Sequence, residues 1–155
     1  MKKFLRFLYY IVISVGIGSL PALLLNDQFM QYKEFIKPPL APPSSLFPIV
    51  WTILFVLMGI SAFLVYNSGL KQKLQALNIF YVQLFVNALW SVFFFGLNMQ
   101  LFAFIWLLLL IVLVVVMLIR FYKVNKLAFY LQLPYLLWLL YAGYLNFGIY
   151  LLNQA

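Results

Sequence analysis

The chain has 155 residues, 68% of them hydrophobic and 8% charged, which leaves too little polar surface to cover a core and excludes a water-soluble globular domain. Cysteine and histidine are absent and the only carboxylates are Asp27 and Glu34, which excludes disulfides, thiolate or imidazole metal ligands and conventional acid-base hydrolysis. The net charge of +8 is scattered at the ends of apolar runs rather than gathered on a face, which argues against a nucleic-acid partner.

Five apolar runs of about 19 to 26 residues each predict an all-α integral membrane protein. A single domain, 1–155, would form a five-transmembrane-helix bundle in the lipid bilayer. The first run, Phe4 to Leu25, follows MKKFLRF, but it is of spanning length and shows no small-x-small cleavage site, so it reads as a helix and not a signal peptide. Ser14, Gly18 and Ala22 lie on it at intervals of four, a stripe that lets another helix approach closely, either within the chain or across a dimer. Residues 26–45 make a long connection ending in KPPLAPPSS. There Pro38, Pro39, Pro42 and Pro43 fix φ and deny helix to the residues before them, so a stiff lid is expected.

The second run, Leu46 to Tyr66, has Ser44 or Ser45 as a cap, Pro48 in its first turn and Trp51 one turn inside. In the third, Leu74 to Leu97, Asn87, Trp90, Ser91 and Phe94 fall on one stripe that mixes polar and aromatic groups. The fourth, Leu101 to Ile119, is apolar all round apart from the indole of Trp106, and much of it is expected to face lipid. In the fifth, Leu127 to Leu152, Pro134, Trp138, Ala142 and Asn146 repeat every four residues and share a face near an expected kink. Lys2, Lys3, Arg6, Lys71, Lys73, Arg120, Lys123 and Lys126 fall at the start and in alternate loops. The positive-inside rule then makes the amino terminus cytoplasmic and puts the lid and carboxyl end outside. The charge asymmetry and brevity of the chain point to a bacterial plasma membrane.

The segments KPPLAPPSSLFPIVWTILFVLMG, QLFVNALWSVFFFG and PYLLWLLYAGYLNFGIYLLN, in this order and spacing, resemble the translocator protein family, also called TspO/MBR or tryptophan-rich sensory proteins. The resemblance implies a five-helix bundle that often dimerises and that binds porphyrins and other lipophilic ligands in an interior pocket under the loop after the first helix. It implies ligand-binding roles for Tyr32, Pro42, Pro43, Trp51, Phe55, Asn87, Trp90, Trp138, Ala142 and Asn146. Two departures stand out. Leu40 occupies the place where the family commonly has a tryptophan before its paired prolines. Tyr150 is followed only by LLNQA, without the basic residue of the cholesterol-recognition pattern; a formal match at Leu118, Tyr122 and Lys126 is a weak pattern, so cholesterol is not the expected ligand.

A protoporphyrin-type tetrapyrrole is a broad aromatic plate with two carboxylates on one edge, and it asks for aromatic faces, a dry slot and a cation at the mouth. Trp51 and Trp138 can supply the faces, while Lys33 and Lys37 lie in the loop. With no histidine or cysteine to ligate iron, the metal-free ring is the expected ligand, no metal site is expected, and no cofactor is expected to be bound permanently. A receptor or sensor is the leading reading. Light- and oxygen-dependent protoporphyrin degradation, with Trp51 and Trp138 flanking the ring, is the alternative, because an excited pigment brings its own reactivity. Tetrapyrrole transport is the second alternative, although no intramembrane carboxylate is present to couple a proton gradient.

Overall fold

A backbone in hydrocarbon must satisfy its own hydrogen bonds, and the apolar runs do so as helices. The computed structural model describes residues 2–25 and 30–154; 26–29, with Asp27 and the start of the expected lid, lie outside the described residues. The helices are α1 (Lys2–Leu24), α2 (Leu46–Tyr66), α3 (Lys73–Ser91), α4 (Gln100–Val124) and α5 (Lys126–Leu152). A π turn, Val92–Gly96, continues α3, and a single 3-10 turn, Met30–Lys33, interrupts the connection between α1 and α2. With α3 extended by its π turn, all five are long and apolar enough to cross a membrane, and the protein is an integral membrane protein. They pack as a ring in the order α1, α2, α5, α4, α3, with α2 and α3 also touching across the middle.

Small residues set the α1–α2 spacing. A Cβ on Gly59 would stand 2.7 Å from the Cα of Ile11, and one on Gly18 would collide with the ring of Phe55. Ser14 is fully buried. Gly18 of the small-residue stripe is therefore occupied by α2 of the same chain, and only Ala22 is left exposed.

The fourth helix runs to Val124, past the expected end, and carries Arg120 and Lys123 in its last turns. It is wedged between α3 and α5, burying Ala103, Leu107, Leu110, Val114, Met117 and Phe121 while Ile105, Leu108 and Val112 stay exposed. Uniform apolarity hides which face is inside, so the sequence could not show this core role. Trp106 marks the inner side by donating from Nε1 to the Val86 carbonyl at 2.8 Å. Only Asn125 separates α4 from α5. Its backbone is extended, and its side chain accepts the Ala128 N–H at 3.0 Å, capping α5.

Gly59→Ala should push α1 from α2, because the obstacle is backbone and cannot rotate away. A loss of about 1 to 3 kcal/mol is expected, read as a lower midpoint of thermal unfolding in detergent. Gly16→Ala, with nothing within 4 Å of the added carbon, should leave that midpoint unchanged.

Candidate ligand cavity beneath the loop after the first helix

The prolines keep this stretch of the loop from folding as helix, and a tight turn shapes its middle. The Ala41 N–H donates to the Pro38 carbonyl at 3.3 Å, and Leu40 between them takes φ +66°, a left-handed conformation that favours glycine. Leu40 is 85% exposed, so its side chain roofs nothing.

Fastening comes from α5. Tyr141 donates its hydroxyl to the Leu40 carbonyl and Tyr144 donates to the Pro39 carbonyl, both at 2.6 Å. Asn153 accepts from the Ile36 N–H at 3.0 Å and donates to the Ile36 carbonyl at 2.8 Å. The Pro38 ring lies on Gly148, where a Cβ would come 2.7 Å from its Cγ. Deeper in, Tyr32 meets the Phe47 ring edge-on at 5.0 Å and donates to the Pro42 carbonyl at 3.4 Å; burial holds its phenol above the ordinary pKa.

Under this roof lies a cavity of about 370 Å³. Gly18, Ser19 and Ala22 of α1 form one wall; Phe47, Pro48, Trp51, Thr52 and Phe55 of α2 form the second. Asn87, Trp90 and Ser91 of α3, with Phe95 from the π turn, form the third, and Tyr32, Lys33, Ser44 and Ser45 lie at the mouth. The volume falls at the low end of small-molecule pockets. Trp51 is its central surface. Phe55 stacks on Trp51 at 5.3 Å, Trp90 lies tilted at 6.4 Å, and Tyr135 and Trp138 present edges at 6.3 and 6.5 Å.

The expected site residues divide into two groups. Tyr32, Trp51, Phe55, Asn87 and Trp90 line the cavity. Trp138, Ala142, Asn146, Pro42 and Pro43 do not. Trp138 stands behind Trp51, touching it edge-to-face at 90°, and its far side faces an apolar groove between α2 and α5 together with Pro134 and Tyr141. Pro134 stays within the continuous α5 and points out. Asn146 accepts from Trp90 Nε1 at 3.1 Å and donates to the Gln100 carbonyl at 2.8 Å, joining α5 to α3 and α4. Ala142 is buried in the bundle, and Pro42 contributes its carbonyl to Tyr32.

Three local readings differ from expectation for physical reasons. Ser45 holds the cap position of α2 in a helical conformation and makes no capping bond, so it and Ser44 are left at the cavity mouth. The π turn advances fewer degrees per residue than an α turn, and it is Phe95 that lines the cavity while Phe94 stacks on Trp90 at 5.4 Å. Lys37 is held over the Tyr32 ring and donates to the Lys33 and Phe35 carbonyls, which leaves Lys33 as the cation at the mouth. The tethers Tyr141, Tyr144 and Asn153 were missed. Their signal was present in the spacing: tyrosines three apart near the outer end of the last helix, opposite a proline loop with free carbonyls.

Five spanning helices in this ring, with an aromatic chamber under a tethered loop, define an integral membrane protein built around an internal space of small-molecule size. The chain belongs to the TspO/MBR family, whose sequence profile matches residues 10–152. It is 40% identical over 124 residues to the tryptophan-rich protein TspO of Chlorobaculum tepidum, covering 79% of this chain and 78% of that one. It is 34% identical over 126 residues to the protein CrtK of Rhodobacter capsulatus, covering 80% and 79%, and 29% identical over 153 residues to the translocator protein of Bos taurus, covering 92% and 90%.

Removing both tyrosine hydroxyls (Tyr141→Phe with Tyr144→Phe) should free the loop without changing the cavity wall. Each lost hydrogen bond is worth about 1 kcal/mol, so amide hydrogen exchange across 36–41 should accelerate by roughly an order of magnitude while exchange in α2 stays as it was.

Proposed function

We propose that this protein is a membrane receptor or sensor that binds a protoporphyrin-type tetrapyrrole, or another flat lipophilic molecule, in the cavity beneath the loop. The observation that carries this reading is the Trp51 surface, packed by Phe55 and Trp90 inside a largely apolar chamber with Lys33 at its mouth. Stacking on such a surface favours an aromatic plate, and a lysine at the rim favours its carboxylates. The names tryptophan-rich sensory protein, borne by a Cereibacter sphaeroides relative, and translocator protein, borne by the bovine one, support a sensing or ligand-handling role. In this reading the amino terminus is cytoplasmic, the loop lies outside, and copies pair as a homodimer.

One observation favours a second reading. Trp51 and Trp138 form an edge-to-face indole pair at 6.5 Å beside the cavity, from which an illuminated porphyrin can take an electron, so light-driven degradation of the pigment is the competing activity.

Titration of the purified protein with protoporphyrin in the dark tests the first reading, with binding read from the shift of the main absorption band. Trp51→Phe should weaken binding about fivefold, the worth of one aromatic contact. Trp138→Phe should weaken it less, because that ring backs Trp51 and does not line the cavity. Haemin should bind no more tightly than the free ring. Illumination in air that bleaches the band and yields a new product would establish degradation; absence of any spectral shift in the dark would remove the porphyrin reading.

A further inference from the structure

We propose that Arg6 and Lys73 form a binding site for the phosphoryl headgroup of an anionic phospholipid, at the membrane face that holds the amino terminus, and that the bound headgroup clamps α1 to the rest of the bundle. The proposal stands independently of what the cavity binds. Arg6 lies near the start of α1 and Lys73 begins α3, yet both converge on the ring of Tyr66, the last residue of α2. The Arg6 guanidinium carbon is 5.2 Å from the ring centre and the Lys73 ammonium is 4.7 Å from it. Lys73 Nζ also donates to the Tyr66 carbonyl at 3.1 Å, and the buried Tyr10 ring packs tilted against Tyr66 at 5.6 Å, so the two cations sit on packed core.

Two cations on one ring repel each other, and their charge calls for an anion. The protein has none to give there. Its only carboxylates, Asp27 and Glu34, belong to the connection after α1, the length of that helix away, about 30 Å. A ring face attracts a cation but accepts no ordinary hydrogen bond, so the guanidinium donors, and the ammonium hydrogens not used on the Tyr66 carbonyl, are left for a ligand. A phosphodiester suits them, because a guanidinium binds two of its oxygens in parallel and an ammonium adds a point charge. Other basic residues of this face are placed differently. Arg120 donates to Gln75 Oε1 at 2.8 Å and Lys126 lies over Tyr122, each with a partner of its own; among the described residues no other ring carries two cations.

What flanks the pair selects a lipid over a free anion. Phe4, Leu5 and Leu8 beside Arg6 in the chain, and Leu70 and Leu74 beside Lys73, are exposed apolar side chains. Cations at the ends of spanning helices, with apolar side chains next to them, match an amphiphile whose headgroup and acyl chains lie at those two levels. The consequence falls on α1. It is the least buried of the five helices, and it supplies the cavity wall of Gly18, Ser19 and Ala22. A phosphate shared by Arg6 on α1 and Lys73 on α3 joins these helices at the end opposite the loop.

The test is native mass spectrometry of the full-length protein in detergent, with phosphatidylglycerol and phosphatidylcholine of the same acyl chains at equal concentration. The wild-type protein should retain phosphatidylglycerol by about ten- to thirtyfold over phosphatidylcholine, the worth of two basic groups beside an anionic headgroup. Arg6→Gln with Lys73→Gln should bring the two lipids level. Lys123→Gln with Lys126→Gln removes the same charge from the same face and should leave the preference as in wild type. Arg6→Gln alone, at an exposed position, should lower the preference about fivefold, and it keeps the test decisive if the double variant fails to fold. In nanodiscs, phosphatidylglycerol should slow amide exchange across 2–9 relative to phosphatidylcholine, and should do so only when Arg6 and Lys73 are both present. A wild-type preference near one, or an equal loss in the Lys123 and Lys126 variant, overturns the site, and unchanged exchange in α1 overturns the clamp. Release of the bound lipid by millimolar inorganic phosphate would assign the pair to a free anion and overturn the lipid reading.

Discussion

The architecture depends on one constraint: a polar side chain inside a bilayer needs a partner, and in this protein α5 supplies many of them, with Ser14 Oγ, the Gln132 amide and Trp138 Nε1 as buried exceptions. No residue of α5 lines the cavity, yet the helix ties together α2, α3, α4 and the loop around it. Its Ala128 carbonyl accepts from Ser61 on α2 at 2.6 Å, Tyr135 joins Asn87 and Gln83 on α3, and Asn146 holds Trp90 and the start of α4. Tyr141, Tyr144 and Asn153 then hold the loop. In water each such bond would compete with solvent. In hydrocarbon the unpaired alternative is costly, and these few contacts decide where the helices stand.

Dividing the work this way has a functional result. The cavity faces α1, whose glycine and small residues let it lie close to α2 without filling the space beyond Gly18. Trp51 is the hinge of the arrangement, since its ring forms cavity wall on one side and meets Tyr135 and Trp138 on the other. Trp51 thereby joins the cavity wall to α5, and α5 holds the loop. A sensor needs such a mechanical connection between an occupied pocket and an exposed segment, and packed aromatic rings supply it because close-packed interiors transmit displacement.

The loop illustrates how a strained element is maintained. Leu40 adopts a backbone conformation that glycine prefers, at a cost of order 1 kcal/mol, and the carbonyl on each side of the Pro39–Leu40 bond receives a tyrosine hydroxyl. Two bonds to adjacent carbonyls offset the strain and define the turn. Prolines limit the loop's freedom before it docks, so less entropy is lost on docking.

Several features were legible in the residues alone. Apolar run lengths dictated five helices, four prolines marked the stiff connection, and the segments around Trp51, Trp90 and Trp138 pointed to the TspO/MBR family. These are local properties, carried by composition and short spacing. Which side of a ring a residue faces is not local. Helical spacing placed Trp138, Ala142 and Asn146 on one face of α5, but only the packing of α2 against α5 put Trp51 between that face and the cavity. Likewise the i, i+3, i+4, i+7 rule assumed an unbroken α-helix, and the π turn at Val92–Gly96 exchanged Phe94 for Phe95. The sequence by itself determined the solvent, the helix count and the chemistry available. Tertiary structure decided which of those groups line the cavity and which brace its walls, because partners such as Tyr135 with Gln83 or Tyr141 with Leu40 lie 52 and 101 residues apart and meet only once the helices pack.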